Sequence, residues 1–591
     1  MKTINYVILF IAGIFLFSSC DKYLDKTPEA EVTDSDIFGN YESFQGFEDV
    51  MYGYMIDYNS ERNITSQNIG GEVISNNAAS SGYRSVRGDY WKITGLSSSQ
   101  GNYYFVDGSA PYETGGIWTG SWRGIRIANE TLQNLPLLLD ATDEEKDLIA
   151  GQAYFFRAWF HWEIIRSFGG MPYIDTLLAP NDELKYPRLT YQQTTEKICR
   201  DFDRAAALLP VNWDNTVIGG THAGANAGRA TKGAALAFKA KALLYAGSPL
   251  MNASSGNDYV YNTSYMERAA EASWEVIKLA NDGVYALLPL SNYRDMFAKN
   301  DGTMPWTSET IFQKVLDKGR FVGASAMTNG HGKLFSPSRF GGNVNNECVN
   351  QLFIDRFEMK DGSRYNVAYD NDNARRWDDR DPRFRQNILV DRDKWGFAAA
   401  TVLNLFVGTG SERTFSNGFN TPYIVKKFWP IGVNSYDTQW ANFRWVTPHM
   451  RLADVYLIYA EAVNEAYGAT GSTPGATMTA VQAINKIRTR AGMPDVAAAA
   501  TGYNSFRELV WNERCVELCF EGNYWYDTRR WYIAHLDENK QIIDLQFNKA
   551  WTTFNRILVM NRVFDNPRHY WMPLPKAQTQ LYKEFYQNPG W

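Results

Sequence analysis

Few residues in this chain have both the type and the spacing for chemistry, and their neighbours disqualify most of those. The six histidines form no metal-ligand or nucleophile pattern. No Gly-x-Ser-x-Gly elbow, phosphate-cradling loop or dinucleotide fingerprint occurs. Cys515 and Cys519 lie four apart on one predicted helix and share a face, at a spacing too wide for disulfide geometry. No second Cys or His pair completes a zinc site, so buried free thiols are expected. Asp370-Asn371-Asp372-Asn373 starts like a calcium loop but lacks the glycine required at its sixth position. Asp378-Asp379-Arg380-Asp381 is interleaved with arginine and precedes Pro382, which predicts a salt-bridged turn. No metal and no cofactor is expected. Paired carboxylates for sugar hydrolysis stay open, because their separation is a three-dimensional quantity.

Cys20 is the exception. Leu16-Phe17-Ser18-Ser19-Cys20 closes an apolar run from Tyr6 to Phe17 that follows Lys2. The run is shorter than the roughly 20 apolar residues of a membrane-spanning helix and fits the central part of an export signal. Small residues before a cysteine resemble a bacterial lipobox, which predicts a signal peptide over 1–19 and lipid on Cys20. Acyl chains contribute about 0.8 kcal/mol per buried CH₂, and stable anchoring takes more than one chain. An ordinary cleaved signal is the competing reading, and it too exports the chain.

The body behind that anchor reads as globular. Of 591 residues, 45% are hydrophobic and 21% charged, enough for a large core. A net charge of −6 gives no support for nucleic acid as a partner. With 19 Trp, 35 Tyr and 33 Phe there are more rings than a helical core needs. Ring faces suit stacking on sugars as well as packing.

Periodicity supplies the elements that must position any site. Residues 20–40 read as a tether, followed by a helix near Ser43–Tyr58. Residues 59–115 then become rich in Asn, Gly, Ser and aromatics without helical period, and long irregular stretches in compact proteins tend to be functional or disordered. Helical spacing returns at Trp118 and Trp122, which places both rings in the core. Asp143-Glu144-Glu145 opens a helix that runs to Phe168 and stops at Gly169-Gly170. Tyr191–Leu209, Arg229–Ala246 and Tyr265–Asn281 follow, the second with an alanine surface suited to close helix pairing. Residues 284–445 are predicted as a loop-rich excursion with strand-like pieces at Thr310–Val315 and Tyr423–Phe428. Helices resume at His449–Tyr467, Thr479–Ala491 and Ser505–Phe520. The repeated Leu-Leu-Tyr-Ala and Leu-Ile-Tyr-Ala of Leu243–Ala246 and Leu457–Ala460 point to degenerate tetratricopeptide-like repeats.

The C-terminal motifs carry a family resemblance. They are Arg451–Ala462, Ile484–Gly492, Asn512-Glu513-Arg514-Cys515-Val516-Glu517-Leu518-Cys519-Phe520-Glu521-Gly522, Tyr526-Asp527-Thr528-Arg529-Arg530-Trp531, Met572-Pro573-Leu574-Pro575 and the terminal Asn588-Pro589-Gly590-Trp591. Upstream, Arg166–Pro172, Gly228–Ala235 and Asp378–Phe384 agree. In this order they resemble the SusD/RagB family of outer-membrane glycan-binding lipoproteins. Glu513, Arg514, Glu517, Glu521, Arg529 and Arg530 are expected to form a buried ion-pair lattice rather than a catalytic site.

The resemblance implies a mainly α, tetratricopeptide-like repeat scaffold. One domain would be built from 41–283 and 446–591, with the 284–445 excursion packed on it. It implies a surface lipoprotein, not an enzyme, that delivers polysaccharide or oligosaccharide to a TonB-dependent outer-membrane transporter. Asp21 beside Cys20 fits inner-membrane retention under enteric rules, whereas the family points to the outer surface of a Bacteroidetes-type cell. Oligopeptide capture and, less so, glycoside hydrolysis are the alternatives. Family ligand faces are built from loops of the N-terminal half and the excursion, here 59–115 and about 290–345. The stacking candidates are Tyr83, Tyr90, Trp91, Tyr103 and Tyr104, joined by Trp306 and Phe321 from the excursion. Asn76, Asn77, Arg84 and Asn102 are the candidates for hydroxyl contacts.

Overall fold

The computed structural model describes residues 33–56, 71–75, 81–90, 116–179, 181–183, 185–315, 347–396, 402–413, 420–428, 444–496 and 504–591. Ten helices carry the architecture: α1 (Tyr41–Tyr54), α2 (Ser121–Asn134), α3 (Asp143–Phe168), α4 (Tyr191–Leu208), α5 (Lys232–Ala246), α6 (Thr263–Asn281), α7 (Leu452–Tyr467), α8 (Ala480–Ala491), α9 (Phe506–Glu517) and α10 (Asn523–Arg530). From α2 to α7 each packs on the next, and α7 also packs on α8 and α9. Nearest-neighbour stacking of this kind is the mark of a helical repeat array. Among the described residues, no helix is long and apolar enough to cross a membrane.

Local chemistry sets the helix ends. Thr142 with Glu145, Thr190 with Gln193, and Thr479 with Gln482 form reciprocal capping boxes that start α3, α4 and α8. Thr231 caps α5 through the Ala234 amide. The helix therefore begins after Arg229, which instead pairs with Asp49 at 2.9 Å. Gly169, at φ +80°, ends α3. Helix α3 is buried nearly all round, and the alanines of α5 lie fully inside the core. Trp118 is buried, and half-buried Trp122 meets it edge-on at 5.7 Å.

Strands are short. Those that bear on the site are β1 (Val73–Ser75), β2 (Thr310–Phe312), β3 (Glu347–Val349), β4 (Met450–Arg451), β5 (Gln541–Phe547) and β6 (Phe554–Asn561). All pairings are antiparallel: β1 with β3, β2 with β4, and β5 with β6 in a hairpin. That hairpin lies in the stretch where the sequence pattern indicated only closing helices. It helps enclose a second core, in which Phe353, Phe357, Trp377, Phe384 and Phe428 of the excursion meet Cys515, Cys519, Phe520 and Phe547. Cys199, Cys515 and Cys519 are buried free thiols, and burial pushes each up to about 12.

Where the two cores meet lies an ion-pair lattice. Arg451 pairs with Glu309, Glu517 and Glu521 at 2.7–2.8 Å. Arg383 pairs with Asp381 at 2.6 Å and Glu517 at 3.0 Å, and Arg488 with Glu513 at 3.1 Å. Arg490 closes on Glu309 and Glu517, and Lys427 on Glu521. A second branch joins Arg514 to Asp454 and Asp527, Lys241 to Asp454, and Arg530 to Asp527 and Glu461. Burial by itself would raise the Glu517 carboxyl, but Arg490, Arg451 and Arg383 together hold it well below the usual range. Asp454, likewise buried, is held down to about 2 by Lys241 and Arg514. The acidic turn is salt-bridged, with Asp378 on Arg385 and Asp381 on Arg383.

Candidate functional site

The best-formed cavity among the described residues, about 250 Å³, opens where α10, the segments flanking the β5–β6 hairpin, the Ser81–Val86 helix and residues 350–365 of the excursion converge. It is slightly smaller than the roughly 300–1,000 Å³ of typical ligand pockets, room for one small group. Its walls mix rings with guanidinium groups: Tyr90, Phe353, Tyr365, Tyr524, Trp525 and Phe564 beside Arg356, Arg364, Arg529 and Arg562.

Helix α10 sets the key residue. Adjacent helical residues diverge by about 100°, so Arg530 faces Asp527 and Glu461 while Arg529 points elsewhere. The Arg529 guanidinium lies 3.0 Å over the Trp525 ring and donates to the Trp525 carbonyl (3.0 Å) and the Tyr90 hydroxyl (2.9 Å). It is 7% exposed, and no carboxylate among the described residues lies within ion-pair distance of it. Arg529 is thus not part of the lattice in which its motif had placed it. Burial pulls its pKa down, against the raising effect of Tyr90. Burial likewise lowers the Arg562 guanidinium to about 10, and Arg562 donates to the Gly71 carbonyl. A Cβ on Gly71 would stand 2.5 Å from the Tyr524 ring, so only glycine permits this close approach.

Two of the cavity's three carboxylates are paired with arginines outside it. Asp355 binds both terminal nitrogens of Arg556, at 2.5 and 3.0 Å. Glu358 sits 2.8 Å from Arg488. Glu538 is exposed at the rim.

Of the residues singled out from sequence, the structure brings Tyr90 to this cavity. Tyr90 is 2% exposed, with His569 edge-on at 4.7 Å and Trp525 at 6.0 Å. Its ring is therefore a packed wall that anchors Arg529, not an open stacking face. Tyr83, Arg84 and Trp306 are half-buried and do not line the cavity. Cys20, Asn76, Asn77, Trp91, Asn102, Tyr103, Tyr104 and Phe321 lie outside the described residues. No group of His, Cys, Asp and Glu side chains among the described residues could hold a metal ion.

Comparison with known proteins agrees with this architecture. The model of the SusD family matches residues 308–591. A second model, described as starch-binding associating with outer membrane, matches residues 22–244. The chain belongs to the SusD/RagB family. Among its SusD/RagB relatives, one SusD-like protein of Formosa agariphila is 24% identical over 485 residues, covering 80% of each chain. A second from that organism is 24% identical over 620 residues, covering 98% of this chain and 97% of the relative. A solved SusD-like protein of Bacteroides fragilis superposes with a TM-score of 0.68 at 23% identity, over 96% of this chain and 100% of its own. A Bacteroides fragilis structure described as a SusD-like carbohydrate binding protein gives 0.65 at 21%, over 94% and 100%. At these identities the likeness speaks for the fold, which is the mainly helical SusD scaffold that the repeats predict.

Sequence reasoning missed Arg356, Arg364, Tyr365, Tyr524 and Arg562 as cavity residues. They come from segments far apart in sequence, and none stands in a motif that points to a ligand. Arg529 did carry a signal, since Asp527 can face only one of the two neighbouring arginines.

Proposed function

We propose that this chain is a cell-surface lipoprotein that binds polysaccharide or oligosaccharide and passes it to a partner TonB-dependent outer-membrane transporter. The observation that carries the reading is the pair of family-model matches, which take in the N-terminal loops as well as the C-terminal helices. The carbohydrate-binding description of a structural neighbour supports it. Lipid on Cys20 holds the body at the outer membrane. The chain works by binding, without catalysis or cofactor. The aromatic loops supply stacking faces, with Trp91 and Trp306 as principal contacts and Asn76, Asn77 and Asn102 holding hydroxyls.

Isothermal titration of the mature protein against a polysaccharide panel tests this. Saturable binding to at least one member is expected, weakened about tenfold by Trp91→Ala or Trp306→Ala. Binding of oligopeptides with no response to any glycan would overturn the reading, and so would release of reducing ends from a bound glycan. In cells, Cys20→Ala should retain glycan affinity and lose uptake.

A further inference from the structure

The cavity beneath α10 has an unusual charge balance. In the lattice, buried guanidinium groups meet carboxylates at ion-pair distance. Arg529 is also buried, at 7% exposure, and meets none among the described residues. Arg380 shows how the fold satisfies a buried arginine when no carboxylate among the described residues stands at ion-pair distance. Its nitrogens make four hydrogen bonds to the carbonyls of Ile354, Phe357 and Arg376. Arg529 makes two hydrogen bonds, one to the Trp525 carbonyl and one to the Tyr90 hydroxyl, and it lines open space. Arg356, Arg364 and Arg562 line the same space, while Asp355 and Glu358 are held by Arg556 and Arg488 and Glu538 stands exposed at the rim. A buried charge without a counter-ion is costly, and a guanidinium presents a planar fork that matches carboxylate and sulfate oxygens. The surrounding Trp525, Tyr524 and Phe564 add ring surface of the kind that sugar rings pack against. With the whole chain at −6, the positive character is local to this cavity.

We propose that this cavity takes the anionic substituent, carboxylate or sulfate, of an acidic sugar residue, with Arg529 as the deep contact and Arg356, Arg364 and Arg562 around it. The inference rests on the glycan-binding reading and narrows it: the captured glycan is acidic.

The test is titration of the full mature protein with four oligosaccharides at fixed ionic strength. These are oligogalacturonate, its methyl ester, a sulfated galactan oligosaccharide and its desulfated form. At least one charged member should bind about tenfold or more tightly than its neutral counterpart. The pair showing that preference says whether carboxylate or sulfate is the group held. The preference should weaken as salt rises, and Arg529→Gln should abolish it. Arg364→Ala, on the exposed rim, provides a second variant should Arg529→Gln fail to fold, and it should reduce the preference several-fold. Equal affinity within both pairs overturns this inference and leaves glycan capture standing, provided the neutral members bind. A charged preference that both variants leave intact overturns the assignment to this cavity. Binding of free galacturonate or inorganic sulfate that needs Arg529, with no oligosaccharide bound, supports the anion site and removes glycan capture.

Discussion

Arg529 and Arg530 are neighbours in sequence and opposites in environment. Arg530 meets Asp527 at 2.7 Å and Glu461, with Arg514 sharing both carboxylates. Arg529 meets a ring, a carbonyl and a phenol beside a cavity. The lattice shows what this fold does with buried charge when its purpose is to hold helices together: it surrounds each cation with carboxylates. Leaving one cation out of that scheme, next to open space, is the opposite arrangement. The contrast separates charge that fixes the scaffold from charge available to something outside the chain.

The sharpest way to break the contrast is to remove a lattice cation. Arg451 contacts Glu309, Glu517 and Glu521, all essentially without exposure to solvent. Arg451→Met leaves these carboxylates buried with fewer partners, and losing one member of a buried pair costs about 3–5 kcal/mol. Denaturant unfolding should show a loss of that size. A loss within about 0.5 kcal/mol, the usual surface value, would mean the lattice is not what holds the two cores together.

Part of the lattice was legible in sequence, because Glu513, Arg514, Glu517, Glu521 and Arg530 lie on or beside one predicted helix. Its members Glu309, Arg383 and Lys427 come from the excursion. The scaffold was legible from helical period and its punctuation: Asp143-Glu144-Glu145 opens α3 and Gly169-Gly170 ends it. The hairpin was not. Residues 541–547 are buried on both faces for most of their length, so they lack the alternation that marks a half-buried strand. Strands β1 and β3, three residues each, pair across helices α2 to α6 and the first part of the excursion, which no local pattern encodes. The cavity was illegible for a related reason. Arg356, Tyr524 and Arg562 become a site only when the excursion folds back on α10. Tyr90 shows the converse error: an aromatic in an irregular stretch looks available, yet Arg529 and His569 occupy it.

Glu72 lies between the two regions and couples them to pH. Its side chain is fully buried, with one oxygen accepting from the Phe520 amide at 2.7 Å. Burial lifts its carboxyl to about 7, against the pull of Lys427 on the lattice side and Arg562 on the cavity side. The folded state therefore keeps a proton that the unfolded chain, titrating near 4.3, has already released. That contribution to stability is complete below about pH 4 and is lost as pH rises through about 7. Glu72→Gln has no proton to lose. Between pH 5 and 8 the wild type should fall relative to this variant by about 1–3 kcal/mol, measured by denaturant unfolding across the series. A pH-independent difference would show that Glu72 is ionised in the fold and belongs with the lattice.

The smallest expected effect is the most telling. Arg529→Met removes two hydrogen bonds and a ring contact, each worth about 1 kcal/mol. It also removes the desolvation of a cation that no carboxylate offsets, and the two nearly cancel. The variant should unfold within about 1 kcal/mol of wild type, in either direction. Arg451→Met, with the same change of side chain, should lose several times more. If the two variants lost equal stability, Arg529 would be a scaffold charge like Arg530, and its position beside the cavity would carry no functional meaning. If Arg529→Met is neutral or stabilising, stability does not explain why arginine stands there, and what the cavity binds must.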